Sequence, residues 1–91
     1  RLEARIDNAG NLIGRRAGSA PAASTILIGS HSDSVPSGGR FDGPAGVLAA
    51  LEIARSLAES GVVLRHAIEV IDFLAEEPSE FGLSCIGSRG M

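Results

Sequence analysis

The chain has 91 residues, 44% of them hydrophobic and 21% charged, with a formal net charge of −3. This is a globular composition able to bury one modest core. The acidic balance, with no basic cluster beyond Arg15-Arg16, argues against a nucleic-acid surface. No apolar run approaches the ~18 residues of a membrane span, and RLEARIDNAG lacks the apolar core and cleavage site of a signal peptide.

Taken in chain order, residues 2–6 and 12–16 read as two short strands, and Asp7-Asn-Ala-Gly-Asn11 between them is a hairpin turn signal. Residues 17–24 form a small-residue loop containing Pro21. Residues 25–29 are β-branched and apolar throughout, as in a strand covered on both faces. A polar, glycine-rich loop follows over residues 30–43.

The next segment predicts a helix over residues 44–60. Val47, Leu51, Ala54 and Ala58 fall on one stripe, joined by Leu48 and Leu57, while Glu52, Arg55 and Glu59 face water. Asp42 is placed as its N-cap, Pro44 suits the first turn and Gly61 the C-terminal stop. Residues 66–75 (HAIEVIDFLA) predict a second apolar strand that ends at Glu76-Glu77-Pro78. Strand, helix and strand in this order define a βαβ unit with parallel strands and a right-handed crossover. No terminating element follows toward Met91, and the chain reads as part of a longer protein.

In open α/β sheets, ligands bind beyond the carboxyl ends of parallel strands. The first strand delivers His31 and Asp33 to that edge, the helix begins there with Asp42, and the second strand delivers Glu76 and Glu77. Each residue has a plainer alternative. Asp42 serves a helix cap, His31 bonds a loop carbonyl, Asp33 closes an Asx-turn, and Glu76-Glu77 form a solvated strand end. Jointly, those readings leave the convergence of five candidate donors to chance.

His66 starts the second strand, eleven residues before Glu77, which at about 3.3 Å per residue is roughly 35 Å away. It is assigned a structural role. The chain has no phosphate-binding G-x-x-x-x-G-K-[ST] loop, no lysine and no G-x-S-x-G nucleophile elbow. Cys85 is the single cysteine, so no internal disulfide is possible, and it is expected to pack in the core. A reducing cytoplasm is the expected setting.

G-S-H-S-D-S-V-P-S-G-G-R-F-D-G at residues 29–43 and F-L-A-E-E-P-S-E-F at residues 73–81 resemble the amidohydrolase branch of the M20 peptidase family. That branch contains N-carbamoyl-L-amino-acid hydrolases, β-ureidopropionases and allantoate amidohydrolases. The resemblance implies a slice of a three-layer α/β/α catalytic domain over residues 1–91, with the rest of that domain and a lid and dimerisation domain outside it.

It further implies two divalent metal ions (Zn, Mn, Co or Ni), with His31 ligating one, Asp42 bridging both and Glu77 ligating the second. Glu76 would be the general base, and Asp33 would bond His31 and fix its tautomer. A cis peptide after Asp42 belongs to the same pattern. The implied substrate is a small ureido or N-carbamoyl compound, and the implied assembly a homodimer, with no nucleic-acid or membrane partner. A peptidase or deacylase with the same metals, and a non-catalytic remnant module, are the rival readings.

Overall fold

The computed structural model describes residues 1–80 and 82–91. Four strands form one mixed sheet in the order β1-β2-β4-β3: β1 Glu3–Ile6, β2 Leu12–Arg16, β3 Thr25–Ser30 and β4 Ala67–Asp72. β1 and β2 are the expected antiparallel hairpin, with Ile6 opposite Leu12. β2 continues antiparallel onto β4, and β3 runs parallel to β4, with Ser30 opposite Asp72. Helix α1, Pro44–Glu59, is the crossover between the parallel pair, and a short α2, Ile86–Gly90, follows β4. Five residues are too few to carry a helical period, which is why α2 gave no signal in the sequence.

The Asp7–Asn11 turn is closed by side-chain chemistry. Asp7 Oδ1 accepts the N–H groups of Ala9 and Asn11, each at 2.9 Å, and Asp7 Oδ2 accepts Asn11 Nδ2 at 2.9 Å. The turn therefore satisfies its own backbone and places the hairpin tip at the carboxyl end of β4.

α1 packs on one face of the sheet. Its small residues Ala50 and Ala54 allow a close approach to Ile68 and Val70, and Leu2, Ile28, Leu57 and Leu64 close the cluster. Burying Ile68 and Val70 contributes about 1.5–3 kcal/mol each relative to exposure. The buried stripe differs from the expected one. Leu48 and Leu51 are exposed, because the helix turns Ala50 and Ala54, with Leu57 beside them, to the strands.

β3 also differs. It is an edge strand with Ile26 and Leu27 exposed, while β4, central between β2 and β3, is buried along nearly its whole length. Continuous apolarity in β3 therefore did not mark coverage on both faces. On the face away from α1, Glu69 lies between Arg5 and Arg15, with Oε1 at 2.9 and 3.4 Å from their Nη1 atoms. Among the described residues, no helix is long and apolar enough to cross a membrane.

Candidate metal centre

β3 ends at Ser30, so His31 is the first residue beyond the strand. Three contacts fix this corner. Ser30 accepts the Phe73 N–H on its carbonyl at 2.8 Å and donates its hydroxyl to the Gly43 carbonyl at 2.9 Å. The His31 ring lies against Gly43, where a Cβ would stand 2.5 Å from Cε1 and Nδ1. Glycine is required there on a second ground, since Gly43 has a φ of +89°.

The expectation that Asp42 caps α1 is corrected by this geometry. Gly43 occupies the N-cap position and no side chain caps the helix. The Asp42 carboxylate is thereby left for the site. The peptide after Asp42 is trans, as are all those among the described residues.

β4 ends at Asp72, three residues earlier than the sequence pattern predicts. Phe73 through Glu77 form a turn, with Ala75 in the left-handed region at φ 45°. This turn brings both glutamates toward His31. Nε2 of His31 lies 3.6 Å from Glu76 Oε2 and 3.7 Å from Glu77 Oε1. The pair does not alternate about a strand. Both carboxylates leave one turn and reach the same imidazole nitrogen.

Asp33 works through two parts of itself. Its carbonyl oxygen lies 2.8 Å from His31 Nδ1, which as the N–H donor leaves the Nε2 lone pair facing the glutamates. Its carboxylate approaches Nδ1 only to 3.4 Å, and instead accepts the Glu76 and Glu77 N–H groups at 3.2 and 3.1 Å. The tautomer is thus set chiefly by the main chain, while the side chain ties the β3 loop to the β4 turn.

His31, Asp42 and Glu77 each offer a donor atom, and the three atoms lie within 4.8 Å of one another. One imidazole nitrogen and two carboxylate oxygens suit a divalent first-row ion. The electrostatics agree. Burial raises the Glu77 pKa first, and the neighbouring charges of Asp42 and Glu76 and a hydrogen bond with Asp42 add to it, against the opposing His31. Burial alone would lower His31. The Asp33 carbonyl and the carboxylates of Glu76, Asp33 and Glu77 outweigh it, so its pKa is raised. Glu77, crowded by Asp42 and Glu76, resists ionisation, and a cation placed there would relieve it.

His66 is at the far end of β4, bonded through Nδ1 to the Ser24 carbonyl at 2.7 Å, and takes no part. Cys85, expected in the core, is half-buried at the site instead. Its backbone N–H reaches the Glu76 carbonyl at 2.7 Å, and its Sγ lies 3.5 Å from Glu76 Oε1. Sequence reasoning missed this neighbour because only the turn at residues 73–77 and the return to α2 bring it there.

A βαβ unit that gathers a histidine and carboxylates beyond its parallel strand ends offers a donor set that could hold a divalent ion at the place where α/β sheets bind ligands. The sequence profile of peptidase family M28 matches residues 11–91, and the chain belongs to that family. It is 54% identical over 85 residues to the N-carbamoyl-L-amino acid amidohydrolase of Geobacillus stearothermophilus, covering 93% of this chain and 21% of that one. It is 47% identical over 90 residues to a ureidoglycolate hydrolase of Oryza sativa subsp. japonica, covering 99% of this chain and 19% of the relative.

Among solved structures, a hydantoinase/carbamoylase family amidase from Burkholderia ambifaria superposes with a TM-score of 0.90 at 42% identity. That alignment covers 96% of this chain and 22% of the amidase. These are proteins of the amidohydrolase branch that the two motifs resemble. The chain spans about a fifth of the length of the relatives it matches.

Proposed function

We propose that this chain carries the metal-binding and proton-accepting part of an amidohydrolase that cleaves a linear amide or ureido C–N bond. The substrate we assign is an N-carbamoyl-L-amino acid, which with one water gives the amino acid, CO2 and ammonia. The observation that carries this reading is the meeting of His31, Asp42 and Glu77 within 4.8 Å, with Glu76 at His31. Similarity to carbamoyl- and ureido-cleaving relatives supports the bond type.

In this reading His31, Asp42 and Glu77 would hold the divalent ions, with Asp42 the carboxylate placed between the other two. The chemistry that such ions would supply is Lewis acidity toward the substrate carbonyl and a water. Glu76 directs Oε2 at the same space while Oε1 faces Cys85. It accepts the proton of the attacking water and returns it to the leaving nitrogen. Asp33 keeps His31 in the Nδ1–H tautomer and fixes the segment that carries both glutamates. The homodimer and the cytoplasmic setting belong to the same proposal.

The test is a pair of variants in the full-length protein. Glu76→Gln keeps the shape and removes the proton acceptor, so kcat should fall by about 10²–10⁴ with metal content unchanged. Glu77→Gln exchanges an anionic donor for a neutral one, so metal occupancy should drop and excess metal should restore part of the activity. Loss of metal in Glu76→Gln with retention in Glu77→Gln reverses the roles, and full activity in both refutes the mechanism.

A peptidase reading is favoured by one observation, the match to a peptidase family profile. Turnover of a dipeptide in preference to an N-carbamoyl amino acid would select it.

A further inference from the structure

The least exposed polar side chain in the fold lies outside the candidate metal centre. Asn11 has 0% of its surface accessible, and its amide joins three distant parts of the chain. Nδ2 donates to Asp7 Oδ2 at 2.9 Å and to the Gly87 carbonyl at 3.0 Å, and Oδ1 accepts the Leu74 N–H at 3.0 Å.

Leu74 is where the chain leaves the line of β4. Its N–H bonds the Asn11 amide, and its carbonyl accepts the Gly87 N–H at 2.8 Å. The next two carbonyls are also taken, Ala75 by Ile86 N–H at 3.2 Å and Glu76 by Cys85 N–H at 2.7 Å. The Glu76 and Glu77 N–H groups then fall to Asp33. One end of the glutamate-bearing turn is thus held by Asp33 and the other by Asn11. Packing at the second hold is tight, since a Cβ on Gly87 would collide with Asn11 Oδ1 and stand 2.6 Å from Leu74 N.

We propose that Asn11 is a positioning residue of the metal site, a buried amide through which the N-terminal hairpin sets where Glu76 and Glu77 meet His31. The assignment rests on the metal reading above. Ligand positions must be held to within about 0.5 Å to be productive, and a turn with a left-handed alanine has no regular ladder to supply that precision. Asn11 supplies it by fixing where β4 stops and where α2 docks. A residue that merely closed the Asp7 turn would have no need of Leu74 or Gly87.

In the full-length protein, the experiment compares the wild type with Asn11→Ala, and with Gly87→Ala, which disturbs the same hold from the α2 side and leaves the Asn11 amide in the sequence. Amide hydrogen exchange is followed residue by residue, and zinc binding is measured by titration of the folded protein. We expect exchange at Leu74, Glu76 and Glu77 to rise at least about tenfold while Ile68–Ile71 stay protected, and zinc Kd to weaken by about 10–100-fold. Should Asn11→Ala fail to fold, Gly87→Ala carries the test by the same two readouts.

Unchanged zinc Kd and unchanged exchange at Glu76 and Glu77 in a folded variant overturn the proposal, and so does a uniform rise across the sheet. A full-length wild-type protein that takes up no zinc overturns the metal reading, and with it the assignment of Asn11 to a metal site.

Discussion

The carboxylate of Asp33 accepts the main-chain N–H of Glu77 at 3.1 Å across 44 residues of sequence, with the Glu76 N–H beside it at 3.2 Å. Asp33→Asn turns one of those acceptors into a donor, so one N–H loses its partner. Charge-assisted bonds of this kind contribute about 1.5–3 kcal/mol when buried. The Asp33 side chain is 36% exposed, so a loss nearer 1–2 kcal/mol is expected. Denaturant unfolding gives that number, and a zinc titration should show affinity about tenfold or more weaker. Unchanged stability and affinity would mean that the two bonds hold nothing in place.

Acid should act through the hairpin. The Asp7 pKa is lowered, first by the hydrogen bond from the Asn11 side chain, against opposing burial, with the N–H groups of Asn11, Ala9 and Gly10 adding to it. The folded value is therefore below the unfolded one, and the unfolded chain binds more protons in that range. The stabilisation is complete above the ordinary value of 3.8 and is lost as pH falls through the depressed one. Asp7→Asn should flatten stability against pH below about pH 4 and leave the slope near neutrality unchanged. An identical acid slope in the variant would refute the assignment.

These two features were unequally legible in the sequence. The hairpin, the parallel pair and α1 follow from local turn chemistry and period, and so does the arrival of His31, Asp33, Asp42, Glu76 and Glu77 at one edge. What failed was whatever depends on the backbone conformation of one residue or on a distant partner. Asp42 fits a cap by residue type, yet Gly43 takes the N-cap position with its φ of +89°. The apolar run through Phe73 and Leu74 reads as strand, but Asn11 takes the Leu74 N–H and ends it. Asn11 did leave one trace, an asparagine closing the D-N-A-G-N turn. Turn chemistry accounts for it without reference to Gly87, 76 residues away.

Glu69 tests whether a charge on the open sheet face stabilises or only tolerates its position. Its side chain is 9% exposed, against 48% for Arg5 and 40% for Arg15. The glutamate is desolvated while both arginines keep water. Glu69→Leu should therefore be neutral within about 1 kcal/mol, because it removes the desolvated charge and leaves no buried cation. Glu69→Ala should cost about 2–3 kcal/mol, since it adds a cavity. Urea unfolding gives both losses relative to the wild type, and a leucine variant that loses as much as the alanine one would show that the ion pairs dominate.

Two glycines separate backbone strain from the site itself. Gly61 has a φ of +68° and open space where a Cβ would go. Gly61→Ala should cost only the left-handed penalty of about 1–2 kcal/mol, with metal uptake unaffected. Gly43 has a φ of +89°, and its Cβ would lie 2.5 Å from His31 Nδ1, Cε1 and carbonyl oxygen. Gly43→Ala should carry a backbone penalty of similar or larger size and an overpacking cost of about 1–3 kcal/mol. Relief can come only by moving the ring or the start of α1, and either motion separates His31 from Asp42. Zinc affinity should therefore fall in Gly43→Ala well beyond what its lower stability explains, and remain at the wild-type value in Gly61→Ala. Thermal unfolding and zinc titration on both variants decide the matter. If Gly43→Ala binds zinc as the wild type does, the close seating of His31 on Gly43 has no part in the site.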